Sequence, residues 1–181
     1  AGDGAAVAAV VAGVIWGAPE PVVPAMAIAG ARPAAAPLPD LASLSPEERF
    51  ATLFDRLMRA GAEWDSATVA SLSPLAVEAY AQLDSVDADT RFHAGLIAIQ
   101  IGNFPGAHAL ADTLEARDPG HLFGPILVGA LARLEGDTTA YRQALVAFRS
   151  RADTELARTD RPEYVEHQQL LAEVRQAAET Q

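Results

Sequence analysis

The chain has 181 residues, with 24 acidic and 13 basic side chains, a formal net charge of −11 and no cysteine. This acidity argues against binding to nucleic-acid phosphates or anionic lipid headgroups. The absence of cysteine excludes disulfides, thiolate metal ligands and thiol nucleophiles. All the basic residues are arginines, and the alanine-rich, lysine-free composition suggests a bacterial protein from a GC-rich genome.

Residues 1–31 differ from the rest, because they are rich in alanine, valine and proline and contain no basic side chain. We expect this segment to be an apolar membrane anchor or to be held by a partner protein, followed by an Ala/Pro-rich linker over 32–45. The anchoring side chains would be Val7, Val10, Val11, Val14, Ile15 and Trp16. The uncharged run is shorter than the roughly 20 residues that cross a bilayer, so a cleaved signal peptide and a flexible tail stay open as alternatives.

Residues 46–181 show the 3.6-residue periodicity of amphipathic helices and no alternating strand pattern. Ser45-Pro46-Glu47 predicts a helix start, because serine caps free N–H groups, proline suits the first turn and a carboxylate favours the positive end of the helix dipole. We therefore predict an all-α domain of about seven helices. The predicted ranges are 46 to 61–64, 66–83 with a break at Ser73-Pro74, 88–101, 104–117, 121–135, 138–158 and 163–179.

Four glycines repeat at a fixed interval. Gly95 and Gly102 are followed 34 residues later by Gly129 and Gly136. In each pair the first glycine falls inside a predicted helix and the second in the turn that follows. We interpret Gly95 and Gly129 as positions where two helices pack closely, and a period of about 34 residues indicates stacked antiparallel helical hairpins.

The spacing of these glycines, with Pro119 ending the unit, resembles the tetratricopeptide repeat (TPR) family. The resemblance is good over residues 88–151 and weaker over 46–87. It implies stacked hairpins in which the first helix of each hairpin lines a concave, protein-binding face. Arg91 and Pro125 stand where the family has a large aromatic residue, so a looser, irregular helical array is the alternative.

In this register the concave face would present mainly apolar side chains. The predicted partner-binding residues are Phe54, Met58, Phe92, Leu96, Ile99, Gln100, Phe123, Ile126 and Arg133. Apolar surface of this extent is normally covered. The sequence does not decide what covers this face. The three alternatives are a segment of this chain (the linker or the last helix), a partner protein, and an apolar small ligand. Clamping of an acidic peptide terminus is not expected, because the chain has no lysine.

The histidines do not have the tight spacing typical of metal ligands. They are His93, His108, His121 and His167. His93 and His108 could approach each other across a hairpin, with Asp112 one turn after His108, and a metal-dependent enzyme using these three residues is kept as an alternative. We interpret the histidines as polar flanks of packed helices and expect no catalytic residue, no metal and no cofactor.

The sequence therefore predicts a non-catalytic scaffold that joins other proteins at a bacterial membrane, with its helical domain on the periplasmic side. For TPR-like modules carrying an apolar anchor, the resemblance implies an accessory subunit or assembly factor of a membrane complex, such as a respiratory or photosynthetic one. The alternative is a soluble periplasmic binding or chaperone-like module.

Overall fold

The computed structural model describes residues 39–180, and in that part of the chain the fold is all-α with no β-strand. A 3₁₀ turn at Leu41–Ser43 precedes eight α-helices. They are α1 (Pro46–Ala62), α2 (Ser66–Ala81), α3 (Ala88–Gln100), α4 (Phe104–Arg117), α5 (Phe123–Glu135), α6 (Thr138–Leu156), α7 (Pro162–Glu166) and α8 (Gln168–Glu179). The all-α prediction is confirmed for these residues.

The helix starts follow from capping side chains that the sequence displays. Ser45 Oγ accepts a hydrogen bond from the Glu48 N–H at 3.2 Å, and the Glu48 carboxylate accepts one from the Ser45 N–H at 3.0 Å. The side chains of Asp65, Asp87 and Asn103 cap α2, α3 and α4 by accepting from the N–H three residues later. The predicted ends of α1 to α6 are confirmed to within a residue or two.

Three turns share one backbone geometry. Trp64, Gly102 and Gly136 adopt the left-handed conformation, with φ of 58°, 74° and 76°. The residue after each of them donates its N–H at 2.8 Å to the carbonyl five residues back, which gives the pairs Asp65 to Ala60, Asn103 to Ala98 and Asp137 to Ala132. The same residue then caps the next helix with its side chain. One motif thus closes the α1–α2, α3–α4 and α5–α6 hairpins.

Helix α1 packs against α2, α3 against α4 and α5 against α6, with α3 also against α1 and α5, α4 against α5, and α8 against α6. Gly95 is buried within α3, and a Cβ at this position would lie 2.4 Å from Leu127 Cδ2 of α5. The absence of a side chain at Gly95 therefore leaves room for the Leu127 side chain where α3 packs against α5. Gly129 is likewise buried, within α5.

Two predicted details are wrong. Helix α2 continues through Pro74, because the missing proline N–H removes only one hydrogen bond of the helix. The Ser73 hydroxyl next to it donates a hydrogen bond to the Val69 carbonyl. The helix predicted over 163–179 is two helices, because His167 has φ −102° and ψ 19° and interrupts the helical backbone between α7 and α8. This break brings the His167 side chain, 4% exposed, against α3.

Among residues 39–180, none of the helices has the length and apolar character that a bilayer span requires. The predicted anchor over residues 1–31 and the first part of the linker lie outside the described residues.

Candidate functional site

The predicted apolar face is inside the protein. Its buried members are Phe54, Met58, Phe92, Leu96, Ile99, Phe123 and Ile126. Of the two polar members, Gln100 is half-buried and its Nε2 donates to the Leu57 carbonyl at 3.2 Å, whereas Arg133 is exposed. These apolar side chains therefore contribute to the core of the domain. Arg133 is the one predicted partner-binding residue that is exposed to solvent.

The C-terminal helices cover the centre of this face. Phe92 and Phe123 stack with ring centroids 4.3 Å apart. The His167 ring packs at right angles to Phe92 and to Phe123, with centroids 5.7 Å and 5.1 Å away, and Tyr164 packs in the same way on Phe123 at 5.8 Å. For these two phenylalanines, the cover is the last part of this chain, which is one of the alternatives that the sequence left open.

A cluster of three polar side chains lies at the edge of this aromatic core. Asp89 and His93 are one turn apart on α3, and His167 lies at the α7–α8 break. His167 Nε2 is 2.8 Å from Asp89 Oδ1, and His93 Nε2 is 3.2 Å from His167 Nε2 and 3.6 Å from the same Asp89 oxygen. Within residues 39–180 this is the one group of three metal-ligating side chains whose ligand atoms all lie within 4.8 Å of one another.

Aromatic packing fixes both imidazole rings. Phe54 stacks on His93 with centroids 3.8 Å apart and the rings 16° from parallel. His167 Nδ1 is buried and has no hydrogen-bond partner among the described residues. The orientation of His167 is therefore set by the rings of Phe92 and Phe123 rather than by a hydrogen bond to its second nitrogen.

The burial of the cluster changes its protonation. Burial lowers the pKa of His93 to about 4, against the opposing effect of Asp89. Burial alone would raise the pKa of Asp89, but the hydrogen bond from His167 and the nearby imidazoles together bring that pKa below its usual value. At neutral pH the cluster thus presents a neutral His93 ring beside an ionised carboxylate.

An open cleft of about 790 Å³ adjoins the cluster, between α1, α3 and the α7–α8 break. Asp89, His93 and His167 all line it. The other acidic side chains around it are Glu47, Asp55, Asp87 and Glu166. Its apolar lining comes from Phe50, Ala51, Phe54, Leu83 and Val165. The cleft therefore combines aromatic surface with concentrated negative charge, and both features favour a ligand that is partly apolar and positively charged.

The sequence did not identify this cluster as a site. The Asp89/His93 pair was visible as an i, i+4 spacing on one helix, but the third member is 74 residues from His93 and no short motif connects them. Sequence reasoning paired His93 with His108 instead. His108 is exposed and its Nε2 contacts the Glu135 carboxylate at 3.1 Å, and Asp112 is also exposed. No hydrogen bond or ion pair among residues 39–180 joins His93 to His108 or Asp112.

A second polar network holds the C-terminal helices in place. His121 Nδ1 accepts from the Phe123 N–H at 3.1 Å, so its Nε2 carries the proton that is donated to Glu163 at 3.1 Å. The Tyr164 hydroxyl accepts from the Leu122 N–H at 3.0 Å and donates to Glu155 at 3.1 Å. These bonds satisfy the N–H groups at the start of α5, where Leu122 itself provides no side-chain cap.

The centre of this network is an ion-pair cluster around Arg161. Its guanidinium contacts the Asp118 carboxylate and lies 3.7 Å from Glu155 and 3.8 Å from Glu163. The network thereby joins the α4–α5 loop to α6 and α7. We assign it a structural role, because each residue in it pairs with another member of the network, although Arg161 Nε itself is buried without a hydrogen bond among the described residues.

Comparison of the chain with protein-family models, with curated proteins and with solved structures finds no match.

Proposed function

We propose that the chain is a non-catalytic, TPR-like protein–protein interaction module, tethered at a bacterial membrane through residues 1–31. In this proposal it serves as an accessory subunit or assembly factor of a membrane complex, for which a respiratory or photosynthetic complex is a suitable setting. The observation that carries the binding role is the acidic, aromatic cleft between α1, α3 and the α7–α8 break.

The repeated turn supports the TPR-like part of the proposal. The turns after α3 and α5 match at a spacing of 34 residues, in the left-handed glycine, in the backbone hydrogen bond and in the capping side chain. The turn after α1 has the same hydrogen bonds with tryptophan in place of glycine. A local unit that recurs in this way is what a hairpin repeat requires.

The position of the cleft supports a protein partner. Helices α1 and α3 are the first helices of their hairpins, which line the binding face in a TPR-like array. The C-terminal helices cover this face over Phe92 and Phe123 but leave open the cleft that they form with α1 and α3. A partner segment with an arginine or lysine beside an apolar side chain matches the acidic and aromatic lining, and the net charge of −11 favours its approach.

A substitution that fills the cleft tests the proposal. Ala51 lies on α1, is exposed and lines the cleft. Affinity capture with the full chain from native membranes, read by quantitative mass spectrometry, should recover a partner that Ala51→Arg loses. Ala109→Arg is the matched control, because Ala109 is an exposed helical alanine of α4 that lines none of the described cavities. Equal recovery with both variants would place the interaction outside the cleft.

Membrane tethering needs a separate test, and it also distinguishes the alternative function, a soluble periplasmic module. Deletion of residues 1–36 should move the protein from the membrane fraction to the soluble fraction while its helical circular-dichroism spectrum is kept. If the full-length chain is already soluble without detergent, the periplasmic alternative is favoured. If the deletion leaves membrane association unchanged, the attachment is made by another part of the protein.

A further inference from the structure

We propose that Asp89, His93 and His167 form a binding site for a divalent transition-metal ion, with zinc as the ion that fits it best. The proposal does not rest on the protein-binding role of the cleft. It rests on the convergence of two imidazole nitrogens and one carboxylate oxygen from α3 and the α7–α8 break.

The three ligand atoms already have the separations of a tetrahedral site. With Zn–N distances of about 2.0–2.1 Å and Zn–O distances of about 2.0–2.2 Å, neighbouring ligand atoms lie about 3.3 Å apart. The observed separations are 3.2 Å between the two Nε2 atoms, 2.8 Å from His167 Nε2 to Asp89 Oδ1 and 3.6 Å from His93 Nε2 to Asp89 Oδ1. Shifts of a few tenths of an ångström would make the triangle regular.

Hydrogen bonds among the described residues leave this cluster incomplete. His167 Nε2 at 2.8 Å donates a good hydrogen bond to the Asp89 carboxylate. His93 Nε2 is then left with two poor options. As a donor it is 3.6 Å from Asp89, which is too far for a hydrogen bond, and as an acceptor it faces an N–H that already points at Asp89. A cation in the centre would accept a lone pair from each of the three atoms, with the His167 proton then carried by Nδ1, which is buried and has no hydrogen-bond partner among the described residues.

The ligand set and its surroundings select the class of ion. Two imidazoles and one carboxylate suit zinc and its first-row neighbours, whereas magnesium and calcium prefer sites built from oxygen alone. The stacked Phe54 and the edge-on Phe92 and Phe123 hold the imidazoles in position before any ion arrives. Because all three ligand residues line the cleft, a fourth ligand can come from water or from a bound molecule.

A bound ion would join α3 to the break between α7 and α8. These elements are far apart in the sequence, so the ion would stabilise the docking of the C-terminal helices on the hairpins. It would also place a positive charge on the wall of an otherwise acidic cleft.

The test is a zinc titration of the full chain after treatment with a chelator, followed by calorimetry. We expect one zinc ion per chain, a rise in Tm of about 5 °C or more at saturating zinc, and no competition from magnesium or calcium. Cobalt(II) in the same site should give the intense visible absorption of a tetrahedral ion, which a loosely held surface ion does not give.

Matched variants complete the test. His93→Gln and Asp89→Asn each remove one ligand but keep a polar side chain of similar size, and each should weaken zinc binding by about 100-fold or more and abolish the Tm rise. His108→Gln is the control, because His108 also pairs with a carboxylate but lies on the exposed surface. The proposal is overturned if zinc does not bind saturably to the wild-type chain, or if the control weakens binding as much as the two cluster variants do.

Discussion

The Nε2 atoms of His93 and His167 lie 3.2 Å apart, although 74 residues separate them in the chain. The contact exists because α3 presents His93 toward the place where α7 ends and α8 begins. The break at His167 thus contributes one member of the cluster and part of the wall of the cleft.

The crossing at Gly95 should not tolerate a larger side chain. Gly95→Leu should lower the free energy of unfolding by about 1–3 kcal/mol or more, because a Cβ alone would lie 2.4 Å from Leu127 Cδ2. Urea denaturation followed by circular dichroism measures the change. In a Leu127→Ala background the same substitution should cost less, since the clashing atoms are gone. Equal costs in the two backgrounds would mean that another neighbour limits the space.

The hydroxyl of Tyr164 should stabilise the docking of α7. Tyr164→Phe leaves the Leu122 N–H and the Glu155 carboxylate without their shared partner, in a site where Tyr164 is 6% exposed. Unpaired buried polar groups typically cost about 1–3 kcal/mol, and we expect a loss of that size in denaturant unfolding. A loss below about 0.5 kcal/mol would indicate that water replaces both hydrogen bonds.

Stability should fall as the pH is lowered through the range in which His121 takes up a proton. Burial lowers the pKa of His121 despite its bond to Glu163, and the nearby Arg161 adds to this effect. The unfolded state, with a histidine pKa of about 6.5, therefore binds the proton first, so the free energy of unfolding decreases as the pH falls below about 6.5. Protonation of Nδ1 would also remove the acceptor for the Phe123 N–H.

Urea unfolding at a series of pH values, in the presence of a chelator, measures this dependence. His93 contributes in the same direction, because its pKa is lowered to about 4. His121→Asn is the matched variant, since an asparagine oxygen can accept from the same N–H without titrating. We expect a shallower decline for this variant below about pH 6.5. Parallel curves for the variant and the wild type would assign the whole dependence to other groups.

The protein should be less stable with tryptophan at position 64 than with glycine. The φ of 58° at Trp64 is the conformation that glycine adopts in the equivalent turns at Gly102 and Gly136. Trp64→Gly should therefore raise the free energy of unfolding by about 1 kcal/mol. Gly102→Ala places a side chain on a residue with φ 74°, so it should lower the free energy of unfolding by a similar amount. If Trp64→Gly destabilises the protein instead, the contacts of the indole stabilise the fold by more than the backbone strain costs.

Local rules predicted most of the helical framework. Ser45 marks a helix start through its short-range capping hydrogen bonds, and Gly102 and Gly136 mark turns because they accept positive φ freely. The turn at Trp64 has the same geometry but a residue type that gives no such signal. The helix break at His167 was likewise not predictable from residue types, because neither proline nor glycine marks it.

The candidate site was much harder to predict, for a reason that lies in tertiary packing. Periodicity identified Phe92 and Phe123 as apolar members of one face, but it could not decide whether a partner or the C-terminal helices cover them. The same docking of the C-terminal helices brings His167 to Asp89 and His93. A pairing of His93 with His108 was reasonable within one hairpin, yet the helix that supplies the actual neighbour comes from the other end of the domain.

The turn at Trp64 also makes this protein convenient to observe by fluorescence. The chain contains two tryptophans, Trp16 and Trp64, and removal of residues 1–36 leaves Trp64 as the sole indole. With 85% of its surface exposed, that indole should emit at the long wavelengths of a hydrated ring. Any molecule that covers the α1–α2 turn would shift the emission to shorter wavelengths, so the turn is a natural optical probe for contacts at that end of the helical array.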